Sequence, residues 1–159
     1  MKIISKLILF LLIFAILHFA YDFFPNAVVK IFSSSDESVF SHLKMSFWAY
    51  FFILLIDYFY SKKIGKTFSF IASLLITIIV PYFIIIIWYI LPALNGKIEK
   101  EIFEILWAFI VLVIVSIISF NINQDLANIK FNRTVKIFII LLFFYLSSFI
   151  HTLPFQNHG

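Results

Sequence analysis

Three histidines and two acids of this sequence have the residue types and the spacing of a metal site. His18 and Asp22 lie four residues apart at the end of the first apolar run, so a helix places them on one face, about one turn apart. Glu37 and His42 stand where the second apolar run begins, and His151 stands where the last one ends. Because a short connection joins the first two runs, we expect antiparallel neighbours whose polar residues meet in one cluster.

Such a cluster suits a zinc ion. Imidazole and carboxylate groups are the usual zinc ligands where thiolates are missing, and the chain contains no cysteine. We predict His18, His42 and His151 as metal ligands, with one position kept for a water molecule whose pKa zinc lowers toward neutrality. Glu37 and Asp22 are the predicted catalytic residues, acting as general base or holding a histidine in its ligating tautomer.

Ordinary structural roles explain the same residues, and both interpretations stay open. Ser34 and Glu37 fit a capping box, with Ser34 as the N-cap of the second span. Asp22 and the histidines fit interfacial side chains that reach water, and Lys44 fits a side chain that snorkels outward. Asp57 lies too far along the second span to join the cluster, so we expect an interfacial charge there.

The composition decides the solvent in which this chain folds. Hydrophobic residues make up 64% of the 159 positions and charged residues 13%, whereas a soluble domain carries about 45–50% apolar and about 25% charged residues. No single core in water hides so much apolar surface, so a lipid bilayer must surround most of it. The net charge of +4 comes from lysines scattered among the apolar runs, which predicts membrane topology rather than nucleic-acid binding.

Five runs are long enough to cross the bilayer as helices. The apolar positions are continuous rather than alternating, which excludes membrane strands and predicts an all-α polytopic fold. We expect one domain over residues 1–159, with its first run kept as a membrane helix because bulky residues stand where a signal peptidase needs small ones. A brief interfacial segment is expected after the first span. The predicted spans are about 3–24, 39–60, 68–91, 102–120 and 135–153.

The orientation follows from the basic residues in the loops. Eight of the twelve fall on one side of the predicted bundle and four on the other. The richer side faces the cytoplasm, which puts the N-terminus inside, the C-terminus outside and the histidine cluster at the outer leaflet. The eight are Lys2, Lys6, Lys62, Lys63, Lys66, Lys130, Arg133 and Lys136.

The strings "HFAYDFFPN" and "FSSSDESVFSHLKMSFW" together resemble a family of small bacterial integral membrane proteins to which no activity is assigned. Its members carry a histidine in the first span, a Pro-Asn after it, and an acidic, serine, aromatic, histidine and lysine string entering the second. The resemblance covers about residues 14–60. It implies a multi-pass protein of the bacterial cytoplasmic membrane.

A second, shorter likeness concerns "ESVFSHL", which is similar to a string of the progestin–adiponectin receptor and alkaline ceramidase superfamily. Those proteins are membrane-embedded, zinc-dependent amide hydrolases acting on lipids. The likeness implies that His42 is a metal ligand, supported by Glu37 and Ser38. That superfamily has seven spans and a late His-x-x-x-His, whereas this chain has Ser147 and Phe155 four residues on either side of His151.

Three classes of function fit the sequence. The first is a membrane protein acting through the histidine and acid cluster or through helix contacts with a membrane protein partner. The second is a zinc-dependent hydrolase acting on a lipid or acylated substrate. The third is a small transporter, for which the only polar stripe within a span is that of Ser69, Ser73 and Thr77, a pattern more typical of a helix-packing seam.

Overall fold

The computed structural model describes residues 1–33, 38–96, 98 and 100–152, with side chains up to residue 150. The described residues form six helices and no strand. Five of the helices are long and apolar enough to cross a membrane, which confirms the predicted all-α polytopic fold. The helices are α1 (Ile3–Phe23), α2 (Ala27–Phe32), α3 (Val39–Lys63), α4 (Phe70–Asn95), α5 (Glu101–Leu126) and α6 (Arg133–Thr152).

Side-chain caps mark where α2, α3, α4 and α6 begin. The Asn26 side chain accepts hydrogen bonds from two backbone N–H groups in the first turn of α2, the brief helix between the first two spans. The N-cap of α3 is Ser38, whose hydroxyl accepts from the Ser41 N–H at 3.2 Å. The predicted start of α3 at an N-cap Ser34 was therefore wrong, and Ser34 and Glu37 lie outside the described residues. Ser69 caps α4 in the same way.

Two proline residues lie inside α4 without ending it. Pro81 and Pro92 each lack the N–H that would close a helical hydrogen bond, yet α4 is continuous over 26 residues. Pro81 is buried against neighbouring helices, which is the setting in which membrane helices tolerate proline. Gly96, with a φ of 78°, ends α4, and its N–H donates a hydrogen bond to the Pro92 carbonyl.

Helices α1 and α3 pack as an antiparallel pair along their whole length. The ring of Phe10 lies 6.4 Å from that of Tyr50, and Phe14 lies 6.3 Å from His42. The opposite face of α1 carries exposed aliphatic and aromatic side chains at every third or fourth position, which a bilayer covers. That face consists of Ile4, Ile8, Leu12, Ile16 and Phe19.

The hydrophobic core divides into two clusters that share α3 and α4. The larger cluster joins α1, α3, α4 and α5 around side chains such as Phe10, Tyr50 and Phe120. The smaller one joins α6 to α3 and α4, with Phe143 of α6 stacked on Phe47 at 5.3 Å. Helix α6 therefore packs on a different part of the bundle from α1. We call the end where α1 finishes and α3 begins the histidine end, after His18 and His42. The opposite end, where Lys6 and Asp57 lie, is the ion-pair end.

Candidate functional site

The structure brings two of the predicted ligands together. His18 is in the last two turns of α1 and His42 is in the first turn of α3, and their ring centroids are 5.4 Å apart. Both residues are partly buried. Phe14 packs beside His42, and Phe19 meets His18 edge-on with the centroids 4.8 Å apart. The two imidazoles therefore face each other between two helix ends, within an aromatic surround.

The orientation of the His42 ring is set by its own helix. The Nδ1 atom of His42 lies 2.9 Å from the Ser38 carbonyl oxygen, one turn earlier. A carbonyl only accepts, so Nδ1 carries the proton and Nε2 is the ring nitrogen that can coordinate a metal. Metal-binding histidines commonly make this kind of contact through their second nitrogen, which fixes tautomer and ring plane.

The acids do not join the two imidazoles within the described part of the chain. Asp22 is exposed in the last turn of α1, one turn beyond His18. Glu37 lies outside the described residues, and so does the side chain of His151, although α6 ends at the histidine end. No three His, Asp or Glu side chains of the described residues come close enough to hold one metal ion. The roles of Asp22, Glu37 and His151 stay predictions.

Two polar contacts hold the connection between α1 and α3 beside the histidines. The Ser33 hydroxyl is fully buried, donates to the Leu17 carbonyl at 2.5 Å and accepts from the Tyr21 N–H at 3.1 Å. The Lys44 ammonium donates to the Lys30 carbonyl of α2 at 3.0 Å. Lys44 is only 5% exposed, so the prediction that it snorkels outward was wrong. Helix α2 and Ser33 are thereby tied to both helices that carry the imidazoles.

An ion pair at the other end of the same helix pair was missed by the sequence interpretation. Asp57 of α3 binds the Lys6 ammonium of α1 at 2.5 Å, and the Met1 amino group at 2.9 Å. Lys6 and Asp57 are each 6% exposed. The expectation of an interfacial charge at Asp57 was therefore wrong. The signal was present in the sequence, since Lys6 and Asp57 have opposite charge and lie near the ends of two runs expected to pack antiparallel.

Further polar groups extend inward from this ion-pair end. The Ser73 hydroxyl of α4 and the Asn123 amide of α5 are hydrogen-bonded, with separations of 3.2 Å to Oδ1 and 3.1 Å to Nδ2. Thr77, one turn along α4, is buried and donates to the Ser73 carbonyl. The polar stripe of α4 is thus part of a packing seam with α5, as its small hydroxyl side chains predicted.

Comparisons with protein-family models, with curated proteins and with solved structures found no match to this chain. The two resemblances noted in the sequence therefore stay expectations. What the structure itself defines is a multi-pass helical membrane protein with a histidine pair at one end and a buried ion pair at the other.

Proposed function

We propose that this protein binds a divalent transition-metal ion, zinc being the first choice, through His18 and His42 at one face of the membrane. The observation that carries the proposal is the 5.4 Å separation of the two imidazole centroids on neighbouring antiparallel helices. Imidazole is a common zinc ligand, and the sequence contains no cysteine that could serve instead.

The separation fits two ligands of one tetrahedral ion. A zinc–nitrogen bond of about 2.0–2.1 Å, extended by roughly 1 Å to each ring centre, puts two imidazole centroids roughly 5 Å apart. Small rotations of the rings close the remaining difference. The contact between Nδ1 of His42 and the Ser38 carbonyl supports coordination through Nε2. Water, Asp22, Glu37 or His151 supplies the other positions in this proposal.

Zinc titration of the detergent-purified protein tests the proposal. We expect the wild type to bind one zinc ion per chain, and His18→Ala and His42→Ala each to lose at least tenfold in affinity, because each variant removes one of the two proposed imidazole ligands. His158→Ala serves as the matched control, since it removes a histidine that the proposal does not use. Unchanged circular dichroism shows that the variants remain helical.

Two results would contradict metal binding. One is a folded wild type that takes up no zinc at micromolar concentration. The other is uptake that His18→Ala and His42→Ala leave unchanged, because the ion would then be held elsewhere. The variant His151→Ala asks a separate question, whether the end of α6 completes the site.

The catalytic form of this proposal is a zinc-dependent hydrolase acting on a lipid or acylated substrate. It is favoured by Asp22, an exposed carboxylate one helical turn beyond His18, where an interfacial substrate can reach it. In this role Asp22 or Glu37 accepts a proton from the water that attacks the substrate. We then expect Asp22→Asn to abolish hydrolysis of the lipid or acylated substrate while its zinc affinity stays within about threefold of the wild type. Equal hydrolysis rates in the wild type and the Asp22→Asn variant would exclude the role of Asp22.

The proposed location is the bacterial cytoplasmic membrane, with the ion-pair end toward the cytoplasm and the histidine end outside. The excess of lysine and arginine in the loops at the ion-pair end supports this orientation. Because the chain has no cysteine, single cysteines report sidedness directly. A membrane-impermeant maleimide added to intact cells should label Asn95→Cys and spare Lys66→Cys. Labelling of Lys66→Cys but not of Asn95→Cys would show that the protein has the opposite orientation in the membrane.

A further inference from the structure

Two buried hydroxyls in the middle of the bundle have no hydrogen-bonding partner. Tyr50 of α3 is 1% exposed and Ser119 of α5 is 0% exposed, and no described group lies within bonding distance of Tyr50 Oη or Ser119 Oγ. Other buried hydroxyls nearby are satisfied. Ser116 donates to the Leu112 carbonyl, and Ser73 bonds to Asn123. The unsatisfied hydroxyls of Tyr50 and Ser119 are therefore local exceptions, and each needs a physical explanation.

Tyr50 packs against the ring of Phe120, close to the buried ion pair. The Tyr50 ring stacks on that of Phe120 with the centroids 5.1 Å apart. The Lys6 ammonium lies 5.8 Å from the same centroid while it binds Asp57. Ser119 precedes Phe120 on the buried face of α5. The interior where α1, α3 and α5 meet thus contains the unsatisfied Tyr50 hydroxyl and two opposite charges, and the second unsatisfied hydroxyl belongs to the residue that precedes Phe120.

The chemistry of this region favours a small neutral ligand that both donates and accepts. The Lys6 ammonium disfavours a metal cation, and the Asp57 carboxylate disfavours an anion. A water molecule donates to a carboxylate or hydroxyl oxygen and accepts from an ammonium or hydroxyl group, so it satisfies every group present. Buried water typically makes about three hydrogen bonds to such otherwise unsatisfied groups.

We infer that ordered water occupies the interior between α1, α3 and α5 and is bound by Tyr50 Oη and Ser119 Oγ beside the Lys6–Asp57 pair. Tyr50 lies eight residues beyond His42 on α3, and the site does not depend on metal binding at the imidazoles. It makes the core of this membrane protein locally hydrated, although its surroundings are aromatic.

The sign of a stability change tests this inference. If Tyr50 Oη is dry, then Tyr50→Phe removes an unsatisfied hydroxyl and raises the melting temperature. If water binds it, then the same change strands that water and lowers the melting temperature, by about 2–4 °C in a chain of this size. We expect the lower value for Tyr50→Phe and for Ser119→Ala.

Each variant has a matched control. Tyr82→Phe removes a tyrosine hydroxyl from a residue that is 51% exposed, and Ser116→Ala removes a serine hydroxyl that its own helix already satisfies. The comparison of Ser119→Ala with Ser116→Ala therefore isolates the orphaned group. A melting temperature that is raised or unchanged in both Tyr50→Phe and Ser119→Ala, relative to these controls, would overturn the inference.

A labelling measurement on the unaltered protein keeps the inference testable if a variant fails to fold. X-ray irradiation converts bound water to hydroxyl radicals, which modify the nearest side chains. We expect Tyr50 to be modified despite its burial, whereas Phe47, 0% exposed and packed in the separate cluster with α6, is spared. Equal protection of Tyr50 and Phe47 would show a dry interior.

Discussion

The two ends of the α1–α3 pair solve the problem of polar side chains in a membrane in different ways. At the ion-pair end, Lys6 and Asp57 are opposite charges, almost fully buried and in direct contact. At the histidine end, His18 and His42 are similar groups, half-buried and separated by the distance that one ion spans. A buried charge needs its partner at all times, whereas a neutral imidazole near the membrane surface tolerates water, a proton or a metal.

This difference indicates a division of labour within one helix pair. Removing either partner of the ion pair leaves an uncompensated charge in a medium of low dielectric constant, so we expect that removal to destabilise the fold strongly. The histidine contact contributes less to folding because neither ring depends on the other for solvation. A group that is not needed for stability is available for chemistry, and this supports the proposal of metal binding at the histidine end.

The largest effect is expected at the ion-pair end. Asp57→Asn removes the carboxylate while Lys6 stays buried, and we expect a loss of about 3–5 kcal/mol in the free energy of unfolding. Unfolding in detergent, followed by tryptophan fluorescence, measures it. Asp125→Asn is the control, because Asp125 is an exposed acid near the end of α5. A double variant, Lys6→Met with Asp57→Leu, should recover most of the loss, and a loss that persists in it would refute the charge-based explanation.

A smaller effect is expected at the polar seam that adjoins the ion pair. Asn123→Ala leaves the buried Ser73 hydroxyl without its partner on α5, which costs about 1–3 kcal/mol. Asn121→Ala is the matched control, since the exposed Asn121 amide donates to the Ile117 carbonyl of its own helix. Equal losses in the two variants would show that the contact between α4 and α5 contributes nothing specific.

The smallest effect is expected at the histidine end in the absence of metal. His42→Phe keeps an aromatic ring beside Phe14 and loses one hydrogen bond to the Ser38 carbonyl. We expect the free energy of unfolding to fall by less than about 1.5 kcal/mol. The same unfolding assay decides the matter. A loss as large as that of Asp57→Asn would mean that both ends hold the helices together, and the proposed division would fail.

The fold was predictable because lipid makes the sequence pattern simple. Continuous apolar runs such as that of α4 have only one stable form in a bilayer, and the five spans follow. Their ends were less accurate, since helices continue past the apolar residues. Helix α3 extends to Lys63, and α5 extends to Leu126, six residues beyond the predicted boundary. Backbone hydrogen bonds do not stop where hydropathy falls.

The candidate site was predictable only where a residue could be judged with its neighbours in the chain. His18 and His42 flank one short connection, so their meeting followed from local spacing. Lys6 and Asp57 were each judged alone as flanking charges, although Lys6 precedes His18 by twelve residues and Asp57 follows His42 by fifteen. The N-cap of α3 was misjudged because six consecutive polar residues, Ser33 to Ser38, offer alternative caps and propensity does not choose among them.

The Lys6–Asp57 contact also has a consequence for the order in which the chain is made. Lys6 leaves the ribosome 51 residues before the carboxylate that neutralises it. During that interval its long side chain can keep the ammonium in the headgroup region. It moves into the bundle only when α3 arrives and α1 turns toward it. We therefore expect α1, the first span to be synthesised, to take its final place only after α3 is inserted.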